Sequence, residues 1–93
     1  MGNVPNSQTY DIVVSSAAAF IPLPQHICSA IDILNTTDVD VMVRQDDNGV
    51  AGTPYKCLSK STYLLQGLQD ANEVWIALGT AGSPVTITYR LYA

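Results

Sequence analysis

Five of the chain's seven aspartates fall within residues 31–49, "IDILNTTDVDVMVRQDDNG", and they are the groups whose type and spacing could do chemistry. Paired carboxylates can hold a hard cation or act as an acid and a base. The alternation of Val39, Val41 and Val43 with Asp40, Met42 and Arg44 has the period of a strand, whose successive side chains point to opposite faces. Ile31 and Ile33 set the same alternation around Asp32, so Asp32 and Asp40 are expected to face outward. If residues 34–38 form a five-residue hairpin loop, Ile33 opposes Val39, Ile31 opposes Val41, and Asp32 faces Asp40. That register makes Asp32 and Asp40 a candidate cation site. A four-residue loop, with Leu34 opposite Val39, puts them on different pairs, and the sequence admits both registers.

Calcium takes about six to eight oxygens, and "DVDVMVRQDDNG" has neither the glycine at its sixth position nor the closing glutamate of a helix-loop-helix calcium site. Asp46, Asp47, Asn48 and Gly49 are strong hairpin-turn formers. The stretch therefore reads as a solvated face and turns, with no metal site assigned beyond that candidate pair. Cys28 and Cys57 have no CxxC spacing, and with His26 they make three ligands where zinc wants about four. Without a secretion signal, two buried thiols are expected rather than a disulfide. His26 is the only imidazole, no GxSxG accompanies it, and "GTAGSP" lacks the GK[ST] ending of a phosphate-binding loop. A glycosidic carboxylate pair needs a cleft that so small a domain has little room to build. Asn35-Thr36-Thr37 fits an N-glycosylation triplet but reads more simply as a turn. No enzyme activity and no cofactor are expected.

The elements that position these residues are strands. Inward rows are expected at Tyr10, Ile12 and Val14; at Ile27, Ile31 and Ile33; at Val39, Val41 and Val43; at Val74, Ile76 and Leu78; and at Val85, Ile87, Tyr89 and Leu91. "PYKCL" and "STYLLQ" add two less regular candidates. Turn residues separate these runs, which predicts an all-β fold: a single antiparallel β-sandwich, jelly-roll or Ig-like, of about seven short strands. The terminal "VTITYRLYA" is expected to be a central strand. Residues 15–25 read as a strap over one sheet edge, with one short helical turn expected near Ser16–Phe20 before "IPLP" stops it. Residues 1–9 are expected to be a mobile N-terminal arm and residues 10–93 the sandwich domain.

With 93 residues, one domain is expected. Hydrophobic residues make up 47% of the chain and charged residues only 13%, so part of the exterior is expected to be covered by another subunit or protein. The net charge of −4 offers no basic stripe for nucleic acid, and no apolar run is long enough to span a membrane. The start "MGNVPNSQTY" lacks a basic region and apolar core, so synthesis and assembly in the cytosol are expected, and Asn6 spoils a myristoylation motif. If Val74, Ile76 and Leu78 face inward, Trp75 faces out; by the same alternation Arg90 and Tyr92 face out. Aromatics and arginine are enriched at interface centres, so Trp75, Tyr92 and Arg90 are the candidate interaction residues. The alternative for Trp75 is cover by the chain's own "AAAFIPLP".

The layout of "IDILNTTDVDVMVRQD", "YKCLSKSTYLLQGLQDANEVWIAL" and "PVTITYRLYA" resembles the small β-sandwich structural proteins of tailed bacteriophage virions, of the capsid decoration or cement kind. The resemblance spans residues 27–93 and rests on layout, with no diagnostic motif. It implies a non-enzymatic protein, often trimeric, that binds the capsid lattice in the virion and reinforces contacts between major capsid subunits or other virion proteins. Assembly in the host cytoplasm, with a terminal arm helping, belongs to the same expectation. A carbohydrate- or receptor-binding module, and a head-completion or tail-associated protein, are the alternatives.

Overall fold

The computed structural model describes residues 7–93. Among these described residues eight strands form: β1 Ser7–Val14, β2 Ile21–Pro22, β3 Ala30–Asn35, β4 Val41–Gln45, β5 Tyr55–Cys57, β6 Ser61–Gln66, β7 Val74–Leu78 and β8 Val85–Tyr92. One 3-10 turn, Ala71–Glu73, precedes β7. Two four-stranded antiparallel sheets result, in the orders β1-β8-β3-β6 and β2-β7-β4-β5. The pairs β4·β5, β3·β6, β2·β7 and β1·β8 are nested about the connection between β4 and β5, so the chain is one long ribbon folded back on itself and rolled into two layers. That order makes the sandwich an eight-stranded jelly roll rather than the seven-stranded Ig arrangement. The strand beyond the expected seven is β2, supplied by the strap, which pairs with β7 at a sheet edge.

The two layers enclose Val14, Ile31, Ile33, Val41, Val43, Val74, Ile76, Ile87 and Leu91, all buried. Each comes from the inward row that its strand's alternation sets. β8 lies between β1 and β3, the central place expected for the terminal strand. At the ribbon's fold, Asp47 and Val50 exchange both main-chain hydrogen bonds at 2.9 Å, and Asn48 and Gly49 take φ of 51° and 80°. Two consecutive positive φ angles make the primed turn that suits the twist of a hairpin, which Asn-Gly adopts readily.

Four expectations are corrected. β3 and β4 belong to different sheets, so residues 34–38 are no hairpin loop and neither register of Asp32 against Asp40 forms. Val39 is 43% exposed because β4 begins only at Val41, after the chain has crossed between layers. Ile27 is 84% exposed: it makes a lone bridge to Asp70 and the strand starts afterward, at Ala30. No helical turn forms at Ser16–Phe20. The Ser16 hydroxyl accepts from the amides of Ala18 and Ala19 at 3.1 Å, the pattern of a helix N-cap, but Pro22 and Pro24 bar any helix from following it. Of the expected arm, residues 7–9 are part of β1 and residues 1–6 lie outside the described residues.

Candidate functional site

The outer face of the sheet β1-β8-β3-β6 collects most of the singled-out residues. Cross-strand pairing sets Thr9, Arg90, Asp32 and Leu64 in one row and Asp11, Thr88, Leu34 and Thr62 in the next. Asp32 is thus opposed by the cation Arg90 rather than by Asp40, and it also accepts the Tyr92 hydroxyl at 3.4 Å. Asp11 accepts the Thr88 hydroxyl at 2.7 Å. Val13 and Leu64 stand exposed on this face among threonines. Its charges are few and of both signs.

Asp40 lies in the other layer and has its own work: its Oδ1 accepts the Ser59 amide at 2.8 Å, tying the crossing chain to the connection between β5 and β6. Beside it Asn35 is almost wholly buried. Its Nδ2 donates to the carbonyls of Val39 at 2.8 Å and of Cys57 and Leu58 at 3.2 Å, and its Oδ1 accepts from the Thr37 amide and hydroxyl. The asparagine that could have been a glycan acceptor is a buried clamp between the two layers.

Trp75 faces out from the second sheet, half-buried, and is not brought together with Arg90 and Tyr92. The Arg44 guanidinium lies between two rings, 4.8 Å from the centroid of Phe20 and 4.9 Å from that of Trp75. Asp46 fixes it through Oδ1 at 2.9 Å from Nε. The strap therefore reaches Trp75 through an arginine, an arrangement that stabilises by about 0.5–2 kcal/mol per cation–π contact. Sequence reasoning had Trp75 facing outward with the strap, which carries Phe20, as one of its two possible covers, and it missed Arg44 between the two rings.

Trp75 also borders an open cleft of about 530 Å³ with Asp46, Asp47, Asp70 and Glu73 around it. Three of those acids are occupied. Asp46 holds Arg44 and the Gly52 amide; Asp70 accepts the amides of His26 at 3.0 Å and Asn72 at 3.1 Å; Glu73 accepts those of Gln69 and Asp70, both at 2.7 Å. Asp70 and Glu73 form the capping box of the 3-10 turn, which the D-x-x-E of "DANE" encodes and which was overlooked in the sequence. Among the described residues no group of three or more His, Cys, Asp or Glu is gathered to hold a metal ion.

Cys28 and Cys57 are buried and unpaired. Burial pushes both thiols up; the charges of Asp70 and Glu73 add to this at Cys28, while at Cys57 an Asn35 hydrogen bond opposes it. Burial likewise raises Tyr89, with Tyr10 and Asp11 adding to it. His26 is exposed, its Nε2 3.1 Å from the Tyr10 hydroxyl and its Nδ1 3.2 Å from the Ile27 carbonyl oxygen. Comparison with family models, with curated proteins and with solved structures gives no match for this chain.

Proposed function

We propose that this chain is a non-enzymatic virion structural protein of the decoration or cement type. It lays the outer face of β1-β8-β3-β6 on the major capsid protein or another virion protein and stabilises the shell. The observation that carries the reading is that face itself, with exposed Val13 and Leu64 among threonines, Arg90 opposite Asp32 in the strand pairing, and Tyr92 donating its hydroxyl to Asp32. A sparsely charged, arginine- and tyrosine-bearing surface is what protein interface centres select. Jelly rolls serve in viral capsids and in lectins alike, so the fold is compatible with the reading and does not assign it. Nucleic acid and membrane are not among the proposed partners, and the proposed location is the virion, assembled in the host cytoplasm.

Co-sedimentation of the purified protein with candidate empty capsids tests this. Saturable binding, weakened at least tenfold by Arg90→Glu, is expected. Failure to bind any shell, or equal binding by that variant, refutes it. The cleft beside Trp75 favours the carbohydrate-binding alternative, which predicts glycan-array binding lost in Trp75→Ala. Copy number in a purified particle separates shell from head-completion or tail positions.

A further inference from the structure

A sheet edge is a row of main-chain donors and acceptors without partners, and folded proteins guard it with short strands, prolines or charges. Three of the four edges here are guarded. β2 has two residues and carries Pro22; β5 has three and carries Lys56; β1 carries Asp11 in its middle. β6, "STYLLQ", has six residues, no charge and no proline, and it pairs with β3 in unbroken register, so no bulge bends it away. The surroundings of this edge are apolar as well. Tyr55, Leu58 and Leu64 are exposed by 57%, 55% and 49%, and a groove of about 200 Å³ floored by Val43 and Leu65 opens between Tyr55 and Tyr63.

We infer that β6 is a pairing edge whose partner is the β6 of a second copy of this chain, across a two-fold axis. An antiparallel pair keeps inward residues opposite inward residues, which an axis through Leu64 satisfies. Leu64 then meets Leu64 of the second copy on the outer face, Thr62 meets Gln66, and Tyr63 meets Leu65 on the inner face beside the groove. Charge complementarity supports the same occupant. Lys60, whose side chain is 63% exposed and pairs at 3.1 Å with a still more exposed Asp38 in its own chain, stands just before β6, and the acids Asp70 and Glu73 follow its end. The antiparallel arrangement points each basic end toward the acidic end of the other copy, so Lys60 can exchange the exposed Asp38 for the acids beyond Gly67. The two sheets β1-β8-β3-β6 join into one continuous surface, and the outer face stays free, so the dimer does not depend on capsid binding. The symmetry is two-fold, in place of the trimer that the phage resemblance implies.

Multi-angle light scattering on the full chain, without any shell, tests the inference. The expected mass is twice 10.0 kDa. Leu64→Lys, which sets like charges on the axis at a half-exposed position, is expected to raise the dissociation constant at least tenfold with an unchanged circular dichroism spectrum. Val13→Lys, on the guarded β1 edge, is expected to leave the dimer intact. Lys60→Glu is expected to weaken it several-fold at low salt and less at high salt. Hydrogen exchange on the unmutated protein gives an independent reading: amides of β6 are expected to exchange more slowly at concentrations where the dimer forms. A monomer at every concentration, a trimer, an oligomer indifferent to Leu64→Lys, or exchange in β6 independent of concentration overturns the inference.

Discussion

Replacing Asn35 with alanine is expected to destabilise the fold by about 3–5 kcal/mol, a cost that comes from its buried side chain rather than from either proposed contact surface. The side chain makes hydrogen bonds to Val39, Cys57 and Leu58 through Nδ2 and receives two from Thr37. Nδ2 has two hydrogens for three carbonyls, so about four full bonds are lost, each worth about 1 kcal/mol net. Thr37 and Val39 sit near solvent and can rehydrate, which trims that sum by about half. The Cys57 carbonyl is buried and is left dry, which costs about 1–3 kcal/mol more. Against a total stability of about 5–15 kcal/mol, this is a large share. Urea unfolding followed by Trp75 fluorescence measures it: with a slope of about 1 kcal/mol/M, the midpoint falls by about 3–5 M. Asn35→Asp is the discriminating control. It keeps the shape but turns the donor toward the carbonyls into an acceptor, so it is expected to lose at least as much at neutral pH and to regain part on acidification, when the carboxyl can donate. A loss under about 1 kcal/mol for alanine, or a neutral Asp variant, refutes the clamp.

Two further perturbations have signs set by the structure. Cys28 and Cys57 are raised above 9.0 and Tyr89 above 10.0 in the folded state, so the neutral forms favour folding; the stability they contribute is full below about pH 9 and lost as pH rises through the folded values. The urea midpoint is therefore expected to fall from pH 8 to pH 10, with native thiols reacting slowly with a disulfide reagent at pH 8; fast labelling of both without unfolding would contradict this. Gly49→Ala forces a side chain into φ of 80° with open space around it, so its cost of about 1 kcal/mol is purely conformational. That cost is expected in the folding rate, as a roughly fivefold slowing in stopped-flow refolding, and a change confined to unfolding would contradict it.

Period-two alternation located β1, β3, β4, β7 and β8, because each has one face on the core and the other away from it, whereas β6, with Leu64 turned outward, read only as a less regular candidate. The turn at Asn48-Gly49 was equally legible, since its chemistry is local. What failed was the step from neighbouring strands to paired strands. Nothing in residues 31–45 records that the chain changes layers between Asn35 and Val41, and the device that manages the change, buried Asn35, looks like any turn asparagine. Ile27 failed for a related reason: its alternation is right, but the main chain bends before Ala30. The proposed contact face was half-visible. Arg90 and Tyr92 followed from alternation, whereas Asp32 joined them only through a strand pairing of about sixty residues' separation. The unguarded character of β6 was written in "STYLLQ", but it acquires meaning only once β6 is known to be an edge.

The nested pairing of the ribbon bears on how the chain reaches this fold. Val14 meets Val85 across most of the sequence, a closure whose entropy cost discourages it as an opening step. After the turn at Asn48-Gly49 brings β4 to β5, each further pair needs only the next short connection to close. The ribbon can therefore zip outward from one turn while its overall contacts remain long in sequence, the condition under which folding is slow and its route narrow. On this route the last pair to form is β1 with β8, so until it closes β8, an inner strand of the finished sheet, is itself an open edge alongside β6.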